Sequence, residues 1–187
     1  MLTIGHSTLP IEVFLRALEE NGCRTLVDVR TVPRSRHNPQ YEQPALFAEL
    51  ERAGIGAVWR KGLGGLRHPL PREKSVNGGW RNESFRGYAD YMQTAEFAAE
   101  IDWLMGLAGF AEIGAGVAVM CAEAVPWRCH RSLIGDAVLA RGGAVEDIFV
   151  TAKGESSRRP HAMTGFARVE GARVWYPGLD GAATLFG

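Results

Sequence analysis

Val117-Ala118-Val119-Met120-Cys121-Ala122-Glu123-Ala124-Val125-Pro126-Trp127-Arg128-Cys129-His130-Arg131 is an apolar run that stops at a cysteine, followed by a segment loaded with Arg, Cys and His. Gly116 to Cys121 has the composition of a buried strand, and Pro126 predicts a helix from there to Arg141. A strand that hands over to a helix in this way is the repeating unit of a parallel sheet. The same order puts the Cys121 thiol in front of the positive end of a helix, where thiolates and anions are both favoured.

The rest of the chain repeats that alternation. Leu2 to Gly5 reads as a strand. Ser7 or Thr8 can cap the helix that follows, which carries Pro10 in its first turn and Val13, Phe14, Ala17 and Leu18 on one face. Asn21-Gly22 ends that helix, and Thr25 to Arg30 is a second strand. A Pro- and Arg-rich loop over 31–43 leads to a helix begun by Pro44, striped by Leu46, Phe47, Leu50 and Ala53, and closed by Gly54. Ile55 to Trp59 is a third strand. Residues 60–83 form a Gly- and Arg-rich loop of a length that in compact domains signals function. Phe85 to Leu107 is helical in two pieces broken near Thr94, and Val145 to Val150 is a fifth strand. Residues 152–164 read as a polar connector, and Phe166 to Tyr176 as a hairpin turning at Glu170-Gly171. The prediction is an α/β fold: a mostly parallel open sheet in Rossmann-like layers, helices on both faces, and a C-terminal β-hairpin appendage. All 187 residues form one domain with its core at about 2–150. Connections are right-handed, and ligands bind beyond the carboxyl ends of the strands.

Composition narrows the function. Apolar residues make up 46% of the chain and charged ones 22%, which supports a substantial core. Lys plus Arg (21) equals Asp plus Glu (21), so the net charge is zero. A protein that grips nucleic acid through many phosphates is normally basic, so a nucleic-acid partner is not favoured and would need a local patch. Three cysteines without a signal-peptide pattern place the chain in a reducing cytoplasm. No apolar run reaches the ~18 residues of a membrane span. Oligomeric state leaves no mark on the sequence.

Three strand ends carry polar residues and converge at one sheet edge: Gly5-His6-Ser7, Asp28-Val29-Arg30, and Cys121-Ala122-Glu123. Each has an ordinary structural reading: Ser7 as a helix cap, Asp28 as the ion-pair partner of Arg30, Glu123 as solvated loop, Cys121 as a small hydrophobe. Their shared location favours a site. Arg30, Arg34, Arg36 and His37 follow the second strand, Arg67 follows Leu63-Gly64-Gly65, and Arg128 and Arg131 open the late helix. Arginine binds phosphate and carboxylate through a planar fork, so converging loops would make an anion pocket.

Known site patterns fit poorly. Cys121 and Arg128 enclose six residues, none of them glycine, whereas the phosphate loop of cysteine phosphatases and rhodaneses encloses five. Zinc-deaminase spacing is not met either. Cys129 and His130 would stand ~100° apart on a helix, which argues against both ligating one metal and leaves Cys129 packing above Leu133 and Ala137. Cys121, His130 and His6 remain as an alternative zinc set, and a Cys121–Cys129 disulfide as another pairing. The leading reading assigns neither metal nor cofactor.

Five ordered blocks carry a resemblance. They are Ile4-Gly5-His6-Ser7, Val27-Asp28-Val29-Arg30 with Pro33-Arg34-Ser35-Arg36, Leu63-Gly64-Gly65, Phe85 to Met92, and Met120-Cys121-Ala122-Glu123 with Cys129-His130-Arg131-Ser132. Together, over about residues 2 to 150, they resemble the domain of unknown function 488 family. The resemblance implies a compact α/β domain, bacterial and intracellular, with no established reaction. Ser7, Ser35, Gly64, Gly65, Tyr88 and His130 lie in these blocks and join the candidate substrate-binding residues, although Tyr88 also suits the core.

The leading functional expectation is an enzyme acting on a phosphate- or carboxylate-bearing small molecule or nucleotide. Cys121 would be nucleophile or redox thiol, Glu123 or His6 the proton carrier, and Arg30, Arg36 and Arg131 the anion clamp, with Asp28, Arg67 and Arg128 nearby. The alternatives are a nucleic-acid-binding or base-processing protein that stacks bases on Trp80 or Tyr41, and a non-catalytic ligand sensor.

Overall fold

The computed structural model describes residues 1–108 and 116–178. Five parallel strands, β1 (Leu2–Gly5), β2 (Thr25–Asp28), β3 (Gly56–Trp59), β4 (Val117–Cys121) and β5 (Glu146–Val150), form the sheet with an antiparallel edge strand, β6 (Ser156–Pro160). The spatial order is β3-β2-β4-β1-β5-β6. A separate hairpin, β7 (Arg168–Glu170) and β8 (Arg173–Trp175), turns at Gly171 as expected. The helices are α1 (Ile11–Glu20), α2 (Gln43–Arg52), α3 (Glu83–Tyr91), α4 (Ala95–Ala108) and α5 (Arg131–Ala140).

Strand alternation divides the core in two. Leu2, Ile4, Leu26, Ala118 and Met120 face α1 and α2, where Phe14, Leu18, Leu46 and Leu50 complete one cluster. Val27, Val29, Val117, Val119 and Cys121 face the opposite side, against Tyr88, Phe97, Ile101, Leu104, Leu133 and Ile134 of α3, α4 and α5. Because successive side chains on a strand point to opposite faces, Asp28 lies on the α1–α2 side and Cys121 on the α5 side.

Three local expectations change. Pro126 starts only a short 3-10 turn, Pro126–Arg128; Cys129 is then extended (φ −137°, ψ 143°), and α5 begins at Arg131. An extended residue cannot continue a helix, so the single helix from Pro126 to Arg141 does not form. Ser7 and Thr8 cap nothing: Pro10 is the N-cap of α1, because the chain turns first through a Leu9 N–H to His6 carbonyl bond. The polar connector contains β6, whose Ser, Arg and Pro residues suit a solvent-exposed edge.

The long 60–83 loop is tied to α3. Asp90 accepts hydrogen bonds from Leu70 N–H, Ser75 Oγ and Asn77 Nδ2. Arg86 donates to the Leu70 carbonyl, and Asn82 caps α3 through Ser84 and Phe85 N–H. Among the described residues, no helix is long and apolar enough to cross a membrane.

Candidate active site

From β1 the chain moves to β2 and β3 on one side; from β4 it moves to β5 and β6 on the other. The two strands at which the direction reverses are neighbours, and in open α/β sheets such a switch point opens the ligand crevice. The pairing extends past the strand ends, with His6 N–H donating to the Cys121 carbonyl (3.0 Å) and Ser7 N–H to the Ala122 carbonyl (2.9 Å). Gly5 permits this approach: a Cβ there would overlap the Glu123 carbonyl and lie 2.8 Å from an Arg131 guanidinium nitrogen. Ser7 itself sits at φ 47°, the one non-glycine residue at positive φ among those described. Strain of this kind concentrates at functional sites.

On the α5 side, two thiols and an imidazole meet. His130 Nδ1 lies 3.9 Å from Cys121 Sγ and 3.7 Å from Cys129 Sγ. Its Nε2 lies 3.1 Å from the Val29 carbonyl, which can only accept, so Nε2 carries a hydrogen and Nδ1 faces the sulfurs. Arg131 N–H donates to Cys129 Sγ (3.5 Å). The neighbouring Cys129 thiol, together with His130 and the Arg131 charge, outweighs burial and lowers the Cys121 pKa. Cys129 correspondingly keeps its proton. The causes expected from sequence are a helix N-terminus with Arg128 or Arg131; the structure retains Arg131 and adds the neighbouring thiol and imidazole as larger causes.

On the α1–α2 side, Arg30 grips Asp28 through Nε (2.9 Å) and Nη2 (2.6 Å) and donates Nη1 to the Tyr41 carbonyl (2.8 Å). Nη1 also lies 3.3 Å from His6 Nε2. His6 stacks on the Tyr41 ring at 4.0 Å, and its Nδ1 is 2.8 Å from the Ser7 carbonyl. Nδ1 therefore donates and Nε2 faces the guanidinium as an acceptor. Burial lowers the His6 pKa to about 4, which the Ser7 bond only partly opposes and the Arg30 charge reinforces. His6 is neutral at physiological pH.

The family model for Domain of unknown function DUF488 matches residues 10–138, which include Asp28, Arg30 and the whole Cys121-to-Arg131 segment. The chain belongs to the DUF488 family. Comparison with curated proteins and with solved structures finds no match.

In this DUF488 chain the candidates at the ends of β1, β2 and β4 form two groups on opposite faces of the sheet, His6 with Asp28 and Arg30 on the α1–α2 side and Cys121 with His130 on the α5 side, while Ser7 joins the β1 end to Ala122. Gly65 abuts the His130 ring and Gly64 abuts Thr31; Tyr88 tilts against His130 at 5.0 Å and donates its hydroxyl to the Leu63 carbonyl. Other candidates stand apart. The Glu123 side chain is exposed, and only its carbonyl is used, by Arg131 Nη1 (2.5 Å). Arg131 also donates to the Ala124 carbonyl (2.9 Å) and is fully buried, so it fastens the loop rather than clamping a ligand. Arg67 bonds the Gly62 and Gly64 carbonyls of its own loop and covers the Tyr91 ring at 3.5 Å. Ser35 Oγ accepts from Asn38 N–H. Arg36 and Arg128 are exposed and form no ion pair among the described residues. Tyr41 is buried, which removes it as a base-stacking platform, whereas half-buried Trp80 packs on Phe85, Phe166 and Tyr176 and lines a cavity away from Cys121.

Sequence reasoning missed two features. A helical Cys129–His130 pair would diverge and leave Cys129 packing; the extended backbone at Cys129 turns both to Cys121. His161 was not singled out, yet its Nδ1 is 2.8 Å from Asp147 Oδ2 and its Nε2 3.2 Å from Asp136 Oδ1, all three buried. Burial alone would lower its pKa, but the two aspartates prevail and raise it to about 9. His161 and Asp147 of this cluster line a cavity of about 470 Å³ together with Trp127, Phe149 and Pro160, and none of Cys121, Cys129 or His130 lines it. No local pattern signals it, since the three residues come from α5, β5 and the chain after β6.

Proposed function

We propose that this DUF488 domain is an enzyme whose reaction centre is Cys121, with Cys129 and His130, acting on a phosphate- or carboxylate-bearing small molecule or nucleotide. One observation carries the reading: two sulfurs and an imidazole nitrogen converge at the topological switch point, with no carboxylate among them. A packing role alone gives no reason for three reactive groups to face one another beside strained Ser7. The anionic substrate class is supported by the positive charge of Arg131, which acts on Cys121. Arg131 is buried without a carboxylate partner. The exposed Arg36 and Arg128 belong to the loops that leave β2 and β4. Arg30 is neutralised by Asp28 and serves to orient His6.

The test is native mass spectrometry of ligands retained through purification, followed by incubation of those compounds with wild-type protein and Cys121→Ser. Conversion by the wild type and none by C121S is the expected result. A compound bound equally by both proteins and recovered unchanged would make the domain a sensor. Tight oligonucleotide binding that falls about 10³-fold or more between low and physiological salt would make it a nucleic-acid binder instead.

A further inference from the structure

We infer that Cys121 Sγ, Cys129 Sγ and His130 Nδ1 are three ligands of one thiophilic divalent cation of the zinc class. The inference deepens the proposed function and rests on the same site, but its test does not depend on turnover. The three donor atoms lie within 4.8 Å of one another, and no further His, Cys, Asp or Glu joins them among the described residues. With Zn–S near 2.3 Å and Zn–N near 2.0–2.1 Å, a tetrahedral site needs S–N edges of about 3.6 Å. The two observed S–N separations, 3.9 and 3.7 Å, are within a few tenths of an ångström of that. Both thiols are thus already at near-ligating distance from the imidazole nitrogen.

The surroundings have the features that support ligands. His130 directs its other ring nitrogen, Nε2, to the Val29 carbonyl at 3.1 Å, the bond that fixes tautomer and ring direction in metal-binding histidines. Gly65 lies against the same ring, where a Cβ would overlap Nδ1, and the Tyr88 ring packs on it at 5.0 Å. Arg131 N–H donates to Cys129 Sγ, which offsets charge on a ligating thiolate. His6 is excluded as a ligand because its ring nitrogens are occupied by the Ser7 carbonyl and Arg30. Glu123 is excluded because its side chain is exposed. Three protein ligands leave a fourth position open, which distinguishes catalytic zinc sites from closed structural ones. An oxygen of water or of an anionic substrate is the ligand that position takes.

Binding releases the thiol protons to solvent and changes no oxidation state. The experiment uses the full chain, reduced and stripped with chelator, and titrated anaerobically with cobalt(II). One equivalent is expected to produce thiolate-to-cobalt charge-transfer absorption and tetrahedral visible bands, both abolished by added zinc. Removing a supporting residue around a metal typically costs 10–100-fold in affinity, so loss of a ligand in C121S, C129S or H130Q should cost at least about 100-fold. Cys23→Ser should bind as the wild type does. Zinc should also suppress iodoacetamide labelling of Cys121 and Cys129 in the unmutated protein, a readout that survives if the variants do not fold. Absence of the charge-transfer band from folded, reduced wild type, or its persistence in C129S, overturns the inference. Full turnover by the stripped protein overturns the metal's part in the reaction while leaving the enzyme reading intact.

Discussion

Replacing His161 with Gln should change how stability depends on pH, by an amount the structure sets. The imidazole bridges Asp136 and Asp147, and its pKa rises from 6.5 to about 9 on folding. At about 1.4 kcal/mol per tenfold change in proton affinity, that rise is worth about 3 kcal/mol. The folded pKa is the higher one, so this stability is fully present below about pH 6.5. It is lost as the pH climbs to about 9, because the unfolded chain has by then released the proton that the folded one retains. The aspartates keep other partners: Asp136 accepts from Tyr176 Oη (2.8 Å) and Thr164 N–H (3.1 Å), and Asp147 from Thr3 Oγ1 (2.5 Å). The variant therefore retains a polar network but loses the cation between two carboxylates. Urea unfolding at pH 6 and at pH 9.5 should show the gap between wild type and H161Q shrinking by about 3 kcal/mol across that interval. A gap constant with pH would mean that His161 is neutral in the fold, and would refute the ion-cluster assignment. Proton NMR gives a second check: one ring should titrate near pH 9, while the His6 ring stays neutral down to about pH 4.

Gly5→Ala should cost about 3 kcal/mol or more, since the new Cβ meets backbone rather than a movable side chain; a thermal melt within a few degrees of wild type would contradict the close approach of the β1 and β4 loops. Asp28→Asn should destabilise by about 3–5 kcal/mol because it strands buried Arg30, whereas the double change Asp28→Asn with Arg30→Met should recover much of that loss; equal denaturation midpoints for the single and double variants would show that the pair is not coupled.

The sheet was legible in sequence because its signals are local. Apolar β-branched runs at Thr25–Asp28 and Val117–Cys121, Gly54 after α2, and the break between α3 and α4 each depend on residues within a few positions. Asp28 with Arg30 was legible for the same reason, being two residues apart on one side of a strand. β6 was not, because an edge strand of Ser, Arg and Pro has the composition of a loop and becomes a strand only by bonding to β5. Proline at 126 carried a local helix signal that the tertiary context overrode, and that single extended residue, Cys129, decided the site. With it helical, Cys129 packs and His130 diverges; with it extended, both turn to Cys121. Strand order had the same standing. Sequence alternation placed five strands in a parallel sheet, but only long-range pairing put β1 beside β4 and so set His6 and Cys121 at neighbouring strand ends. Local backbone preference determines elements; which thiol meets which imidazole depends on contacts between residues distant along the chain, and these exist only once the sheet has closed.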